Sequence, residues 1–228
     1  MGGLLEFIKD WNFIVPGILW GGRELSRWAR AYRRRSLLWG FRAGRSVVLL
    51  REQPSQQQGY LYGEVGSLAV ARAGQRVADE LRKVGLDVAE ASAQDFDPNS
   101  TQNMAVVSLL SDEASVAGSM AGLLGVRMSV TGNKFSVDDH AFRPQLTLLD
   151  GELRTDTEYA ILIRGRNPNR NRHGITIIAA LTAQGVESAV KAMVSDSKLS
   201  AQLRSRKPGV CLFTLDMSSG IVRTQEIG

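Results

Sequence analysis

The sequence predicts an α/β fold, an open and mostly parallel sheet with helices on both faces, preceded by an N-terminal basic amphipathic helical arm. Three observations predict it. The runs Met104 to Leu110 and Gly174 to Leu181 are apolar on both faces, as strands in the middle of a parallel sheet must be. Between such runs lie segments with helical spacing, opened by hydroxyl residues or closed by glycine, so strands and helices alternate. Finally, all four tryptophans and nine of the 28 Lys and Arg residues fall in the first 46 positions, against three acids there. The whole chain carries a net charge of +5, so this segment holds all of the positive excess.

Residues 1–45 therefore read as an arm and residues 46–228 as the body. From Arg23 to Leu37, the apolar Leu25, Trp28, Ala29, Tyr32 and Leu37 recur near the helical repeat, while Arg23, Arg27, Arg30 and Arg34 fall mostly elsewhere on the wheel. A shorter helix precedes the break at Pro16-Gly17. Indole and guanidinium groups both tolerate partial dehydration, which suits a boundary between an apolar phase and anionic groups. Trp11, Trp20, Trp28, Arg30, Arg33, Arg34, Arg35 and Trp39 are the residues expected to meet a membrane surface or to drive self-assembly.

The run from Trp11 to Gly22 is about 12 residues and contains Pro16, well short of the roughly 20 a spanning helix needs. Glu6 and Asp10 precede it and the arginines follow, the reverse of a signal peptide. Glu6 also stands where myristoylation wants Ser or Thr. The single cysteine, Cys211, lies in the apolar run Val210 to Phe213, which excludes an intrachain disulfide and fits a reducing cytosolic setting. The arm would then act at the inner face of a membrane.

In the body, Ser46 to Leu50 reads as a strand, Pro54 to Gly59 as a loop and Tyr60-Leu61-Tyr62 as a second short strand. Leu68, Val70, Ala73, Val77, Ala78, Leu81 and Val84 give a helix from Gly66, closed by Gly85. Leu86 to Val88 restarts an extended segment, and Met104 to Leu110 is a central strand. Ser111-Asp112-Glu113 caps a small-residue helix ending at Leu124-Gly125. Val126 to Val130 is the next strand, and Gln145 to Arg154 another, with a hairpin at Asp150-Gly151. Glu158 to Arg164 and Gly174 to Leu181 are strong strands. A helix opens at Thr182, and a second helical piece reaches Arg206. Val210 to Met217 and Ile221 to Glu226 end the chain as strands.

In such a sheet, ligands collect beyond the carboxyl ends of the strands. Gly66-Ser67, Ser111 and Thr182 through Gly185 put small or hydroxylated residues at helix starts, where free amides hold phosphate. The loop from Arg164 to His173 carries four arginines between two strands, Arg164 and Arg166 being nearest the strand end. The ligand-binding residues expected are thus Gly66, Ser67, Ser111, Arg164, Arg166, Thr182 and Gly185. Asp138-Asp139-His140 reads as a surface turn, because adjacent residues converge poorly on one ion, and Asp95 and Asp97 read as turn residues. No metal or cofactor is expected.

The order of segments from Tyr60 to Val130 resembles the nucleoside deoxyribosyltransferase group and the related Rossmann-like sensor domains of bacterial defence systems. Tyr60-Leu61-Tyr62-Gly63, Met104 to Leu110 and Ala121-Gly122-Leu123-Leu124-Gly125-Val126 carry it, over about a third of the chain. The resemblance implies a pocket for a nucleotide-type ligand over the strand ends. Its enzymes use a glutamate on the small-residue helix about two turns before the terminal Leu-Gly. Ala117 stands there in this chain, which favours binding over catalysis. The leading expectation is a non-enzymatic sensor of a nucleotide-type ligand, coupled to a membrane-surface or self-assembling arm, as in a defence effector. The alternatives are an N-glycosidase or deoxyribosyltransferase using Glu64 or Glu113, and a scaffold that assembles as a homo-oligomer through the arm. Nucleic acid is a further partner class for so basic a segment.

Overall fold

Residues 24–27, 29–51, 56–110, 115–131, 134–143, 147–149, 152–154, 157–205, 209–216 and 222–227 are described by a computed structural model. Apolar alternation builds its centre. In strand β1 (Ser46–Arg51), Val47 and Leu49 face one side of the sheet and Leu50 the other. In β3 (Asn103–Leu109), Ala105, Val107 and Leu109 take the first side, Met104 and Val106 the second. The same split runs through β9 (Thr157–Arg166), β10 (Gly174–Ala180) and β11 (Gly209–Asp216). A period of two with both faces apolar forces a sheet covered on both sides.

Seven strands form that sheet in the order β12-β11-β9-β10-β3-β1-β2, with β2 at Asp87–Ser92 and β12 at Val222–Ile227. β2, β1, β3 and β10 run parallel, β9 is antiparallel to both β10 and β11, and β12 is antiparallel to β11. The fold is thus α/β with a mixed, largely parallel sheet. One face is covered by α1 (Gln56–Lys83), α3 (Ala183–Ser195) and α4 (Ser197–Ser205). The other is covered by α2 (Val116–Leu123) and a small antiparallel sheet of β4 (Met128–Thr131), β5 (Lys134–Val137) and β6 (His140–Phe142). β7 (Thr147–Leu149) and β8 (Glu152–Arg154) pair antiparallel with Leu149 opposite Glu152, and the expected turn residues Asp150 and Gly151 lie outside the described residues.

Three expectations are corrected. Tyr60-Leu61-Tyr62 is not a strand, and Gly66-Ser67 does not open a helix, because α1 begins at Gln56 and runs through all of them. Ala69, Val70, Ala73, Val77, Ala78 and Leu81 are buried along one face of this helix at three- and four-residue spacing. Each glycine weakens a helix by about 1 kcal/mol, which packing of such a stripe outweighs. The cap of α2 is Ser115, whose hydroxyl accepts from the Gly118 amide at 2.9 Å; Ser111 and Glu113 lie outside the described residues.

The third correction concerns the arm. A helix over 24–27 and 29–33 passes into a π-helical turn, Arg34–Leu38. Leu38, Trp39 and Phe41 are fully buried in the core shared with α1 and α3, so Trp39 is a core residue and not a surface contact. The Trp39 carbonyl accepts from the Thr176 hydroxyl at 2.5 Å, and the Arg34 guanidinium reaches Glu80 at 2.8 Å and the Val194 carbonyl at 3.1 Å. The body therefore starts before Ser46. Trp11 and Trp20 lie outside the described residues, as does Trp28.

Candidate functional site

The carboxyl ends of β1, β3 and β10 share one edge of the sheet, where a ligand was expected on Thr182 and Gly185. Thr182 is the N-cap of α3. Its hydroxyl accepts from the Gly185 amide at 3.0 Å and donates to Glu158 Oε2 at 2.5 Å. Glu158 Oε1 accepts from the amides of Tyr159 at 3.1 Å and Leu181 at 3.2 Å. The carboxyl is fully buried, and burial pushes its pKa up, against the bonds from Thr182 and the backbone amides. A Cβ on Gly185 would stand 2.3 Å from Glu158 Cγ, so the glycine admits this carboxyl. The chain's own acid thus fills the place expected for a phosphate, and Thr182 and Gly185 are structural. Sequence reasoning missed Glu158, an ordinary acid near a strand start.

The arginine loop lies at the opposite edge. Because β9 runs against its neighbours, the turn between it and β10 sits beside the amino ends of the parallel strands. The loop is tightly held. Asn167 is fully buried, donates to the carbonyls of Ser100 at 2.9 Å and Gln102 at 2.8 Å, and accepts from the Asn169 amide at 2.9 Å. Asn169 donates to the Pro98 carbonyl at 2.7 Å. Arg164 is buried and donates to the carbonyls of Leu37 at 2.6 Å and Leu38 at 3.3 Å, satisfying the end of the arm helix. It is a latch and not a ligand residue. Arg166, Arg170 and Arg172 are exposed.

The arm delivers its own cations to the same edge. Arg27, Arg30, Arg34, Arg35, Arg45 and Lys83 line a cavity of about 960 Å³ between the arm helix and the end of α1, with Tyr32 in its wall. Arg27 pairs with Glu24 at 2.9 Å, and Arg34 and Lys83 both pair with Glu80 at 2.8 Å. Among the described residues, Arg30, Arg35 and Arg45 pair with no carboxylate. Arg30 donates to the Ser26 carbonyl at 3.2 Å, and Arg35 to those of Phe41 at 3.2 Å and Gly44. Burial lowers the Arg35 pKa, with Tyr32 opposing and Arg45 adding to the shift. Tyr32 is 45% exposed, leaving ring surface open beside these cations. Arg33 is exposed on the same helix.

His173 joins the two clusters. It is buried at the start of β10, and its Nδ1 has no hydrogen-bond partner among the described residues. A Cβ on Gly44 would stand 2.4 Å from its Nε2, and Gly44 has φ +74°, so glycine is required on both counts. Burial, then Arg170 and then Arg35 push the imidazole pKa down, and the His173 amide donates to the Arg170 carbonyl at 2.8 Å.

Elsewhere, Asp138 takes φ +50° in the turn between β5 and β6, its carboxylate accepting from the Arg127 amide at 2.9 Å. Asp95 closes a capping box with Ser92, and Asp97 accepts from the Asn99 amide at 2.9 Å. No group of three potential metal-ligating side chains occurs among the described residues, and none of their helices is long and apolar enough to cross a membrane. Glu64 falls inside α1 and not in a strand-end turn. No protein-family model matches the chain, and no curated protein matches its sequence.

Proposed function

We propose that this protein binds a phosphate-bearing, nucleotide-type ligand in the cationic groove between its arm helix and the end of α1, and acts as a sensor without chemistry of its own. The carrying observation is the group of three guanidiniums, Arg30, Arg35 and Arg45, that no described carboxylate neutralises, gathered in one cavity beside a half-exposed tyrosine. Guanidinium forks suit phosphate oxygens, and an aromatic face suits a base. The volume is of the size that holds small ligands. This moves the expected site from the carboxyl edge, where Glu158 already takes up the Leu181 amide and the Thr182 hydroxyl, to the amino edge.

Coupling follows from the groove's construction. One wall is the arm helix and the other belongs to the body, so an anion bridging Arg30 and Arg45 favours the docked arm over any alternative. Leu25, Tyr32 and Leu37 of the arm are 68%, 45% and 43% exposed. These apolar positions beside Arg33 support a membrane-surface or self-assembly output, in the manner of a defence effector. Vesicle flotation of the Leu25→Glu/Leu37→Glu protein tests that output; unchanged flotation removes the membrane version.

The binding test is thermal denaturation of the full chain with mononucleotides, dinucleotides and cyclic nucleotides. A ligand at about 100 times its Kd adds roughly 2.7 kcal/mol, a rise of several degrees in Tm. The rise should vanish in Arg30→Glu/Arg45→Glu while the ligand-free Tm stays put. A flat panel for the native chain would sink the reading.

A further inference from the structure

Resting on that reading, we infer that the ligand is a single-stranded polynucleotide, bound from the arm groove across the amino edge of the sheet to the exposed arginines of the β9–β10 loop. The two basic segments are more than a hundred residues apart in sequence, yet the fold makes them continuous. Arg35 and Arg45 line the groove, Gly44 between them packs on His173, and the His173 amide donates to the Arg170 carbonyl at 2.8 Å. Arg166 and Arg172 extend the row, both exposed. The loop is a platform, since Asn167 and Asn169 tie it to the carbonyls of Pro98, Ser100 and Gln102.

A mononucleotide fits within the groove and leaves the loop cations unused. A chain of phosphates uses both. The carboxylates at this edge are Glu24 and Glu80, taken up by Arg27, Arg34 and Lys83, together with Asp87 and Asp97, and Asp97 already caps the Asn99 amide. Arg30, Arg35, Arg45, Arg166, Arg170 and Arg172 outnumber them. Tyr32 offers stacking without demanding a particular base, which suits single strands more than duplexes. A basic row also attracts anionic lipid, but the loop between Arg166 and His173 has no large apolar side chain to insert, only Pro168 besides its Asn and Arg residues.

Fluorescence anisotropy on the full chain decides it, with thymidine monophosphate, oligothymidylate and oligouridylate of about ten nucleotides as probes. The native chain should bind the oligomers at least about tenfold more tightly than the mononucleotide. Its salt slope should be steeper by about 0.7 for each added phosphate contact. Arg170→Glu/Arg172→Glu should abolish that gain and leave the mononucleotide affinity within about twofold. Oligomers binding no better than the mononucleotide, or a variant that weakens both alike, would overturn the polynucleotide and leave the groove standing. Failure of nucleotides of every length would overturn the groove as well. If phosphatidylserine vesicles bind and lose binding in the variant while oligomers do not bind, the edge is a lipid surface and the inference falls.

Discussion

Two buried titratable residues mark the two edges of the sheet, and their environments give opposite pH signatures. Glu158 has its pKa raised, chiefly by burial. The folded state then holds the extra proton between the ordinary carboxylate value of about 4.3 and its own value, so stability falls as pH rises through that window. Glu158→Gln keeps an oxygen for the Tyr159 and Leu181 amides and places an amide near the Thr182 hydroxyl. It should gain stability relative to the native chain as pH rises from about 4 to 8; a constant difference in urea denaturation across that range would refute the assignment. His173 behaves in reverse. Its folded pKa is lowered by burial, Arg170 and Arg35, so its contribution is complete above about 6.5 and is lost as pH falls through the folded value. His173→Gln should flatten that acid limb. A strand's phosphate between Arg35 and Arg170 would offset their charge, so oligonucleotide binding should tighten as pH drops in the native chain and not in His173→Gln, while mononucleotide binding shows no such dependence.

At the scale of elements, a buried polar side chain helps hold each of the arm helix and the β9–β10 loop. Arg164 satisfies the Leu37 and Leu38 carbonyls, and Arg164→Met leaves them without that donor at a cost of about 2–3 kcal/mol. The same variant should speed amide exchange over residues 34–41 while leaving β3 and β10 protected; uniform acceleration would mean that the latch is not local. Asn167→Ala removes two bonds to the Ser100 and Gln102 carbonyls, and should cost about 2 kcal/mol in chemical denaturation. These elements also show what the sequence made legible. β1, β3, β9, β10 and β11 announced themselves, because both-face apolar runs have few other uses. The Thr182 cap was legible as a cap, and the Asp138 turn as a turn. The direction of β9 was not drawn from the sequence, although a signal existed. The loop between β9 and β10 spans only residues 167–173, too short for a parallel crossover of a dozen residues. That direction decides which edge receives the arginines. Glu158 gave no signal, since its partners Thr182 and Gly185 come from a different strand end and only the folded chain brings them to it.

For the whole molecule, the segregation of charge along the sequence becomes a segregation across one edge of the sheet, and the segment that carries it is also part of the core. A boundary at Ser46 fits the composition, because tryptophan and arginine stop there. The packing does not respect it. Leu38, Trp39 and Phe41 are each 0% exposed and join the cluster of α1, α3 and β11. Burial of each large apolar side chain contributes about 1.5–3 kcal/mol, so the three together rival the 5–15 kcal/mol of a typical domain. A chain beginning at Ser46 also lacks the carbonyls that Arg164 and Thr176 bind, leaving a buried guanidinium and hydroxyl without them. It should show no cooperative melting transition. The full chain carrying Arg30→Glu and Arg45→Glu keeps those core contacts and should melt near the native temperature while losing the nucleotide response. Together the two proteins separate the structural duty of the arm from its binding duty. A cooperative melt for the shortened chain, at the native temperature, would show instead that residues 34–45 merely rest on a self-sufficient body, and the coupling between ligand and arm would lose its physical basis.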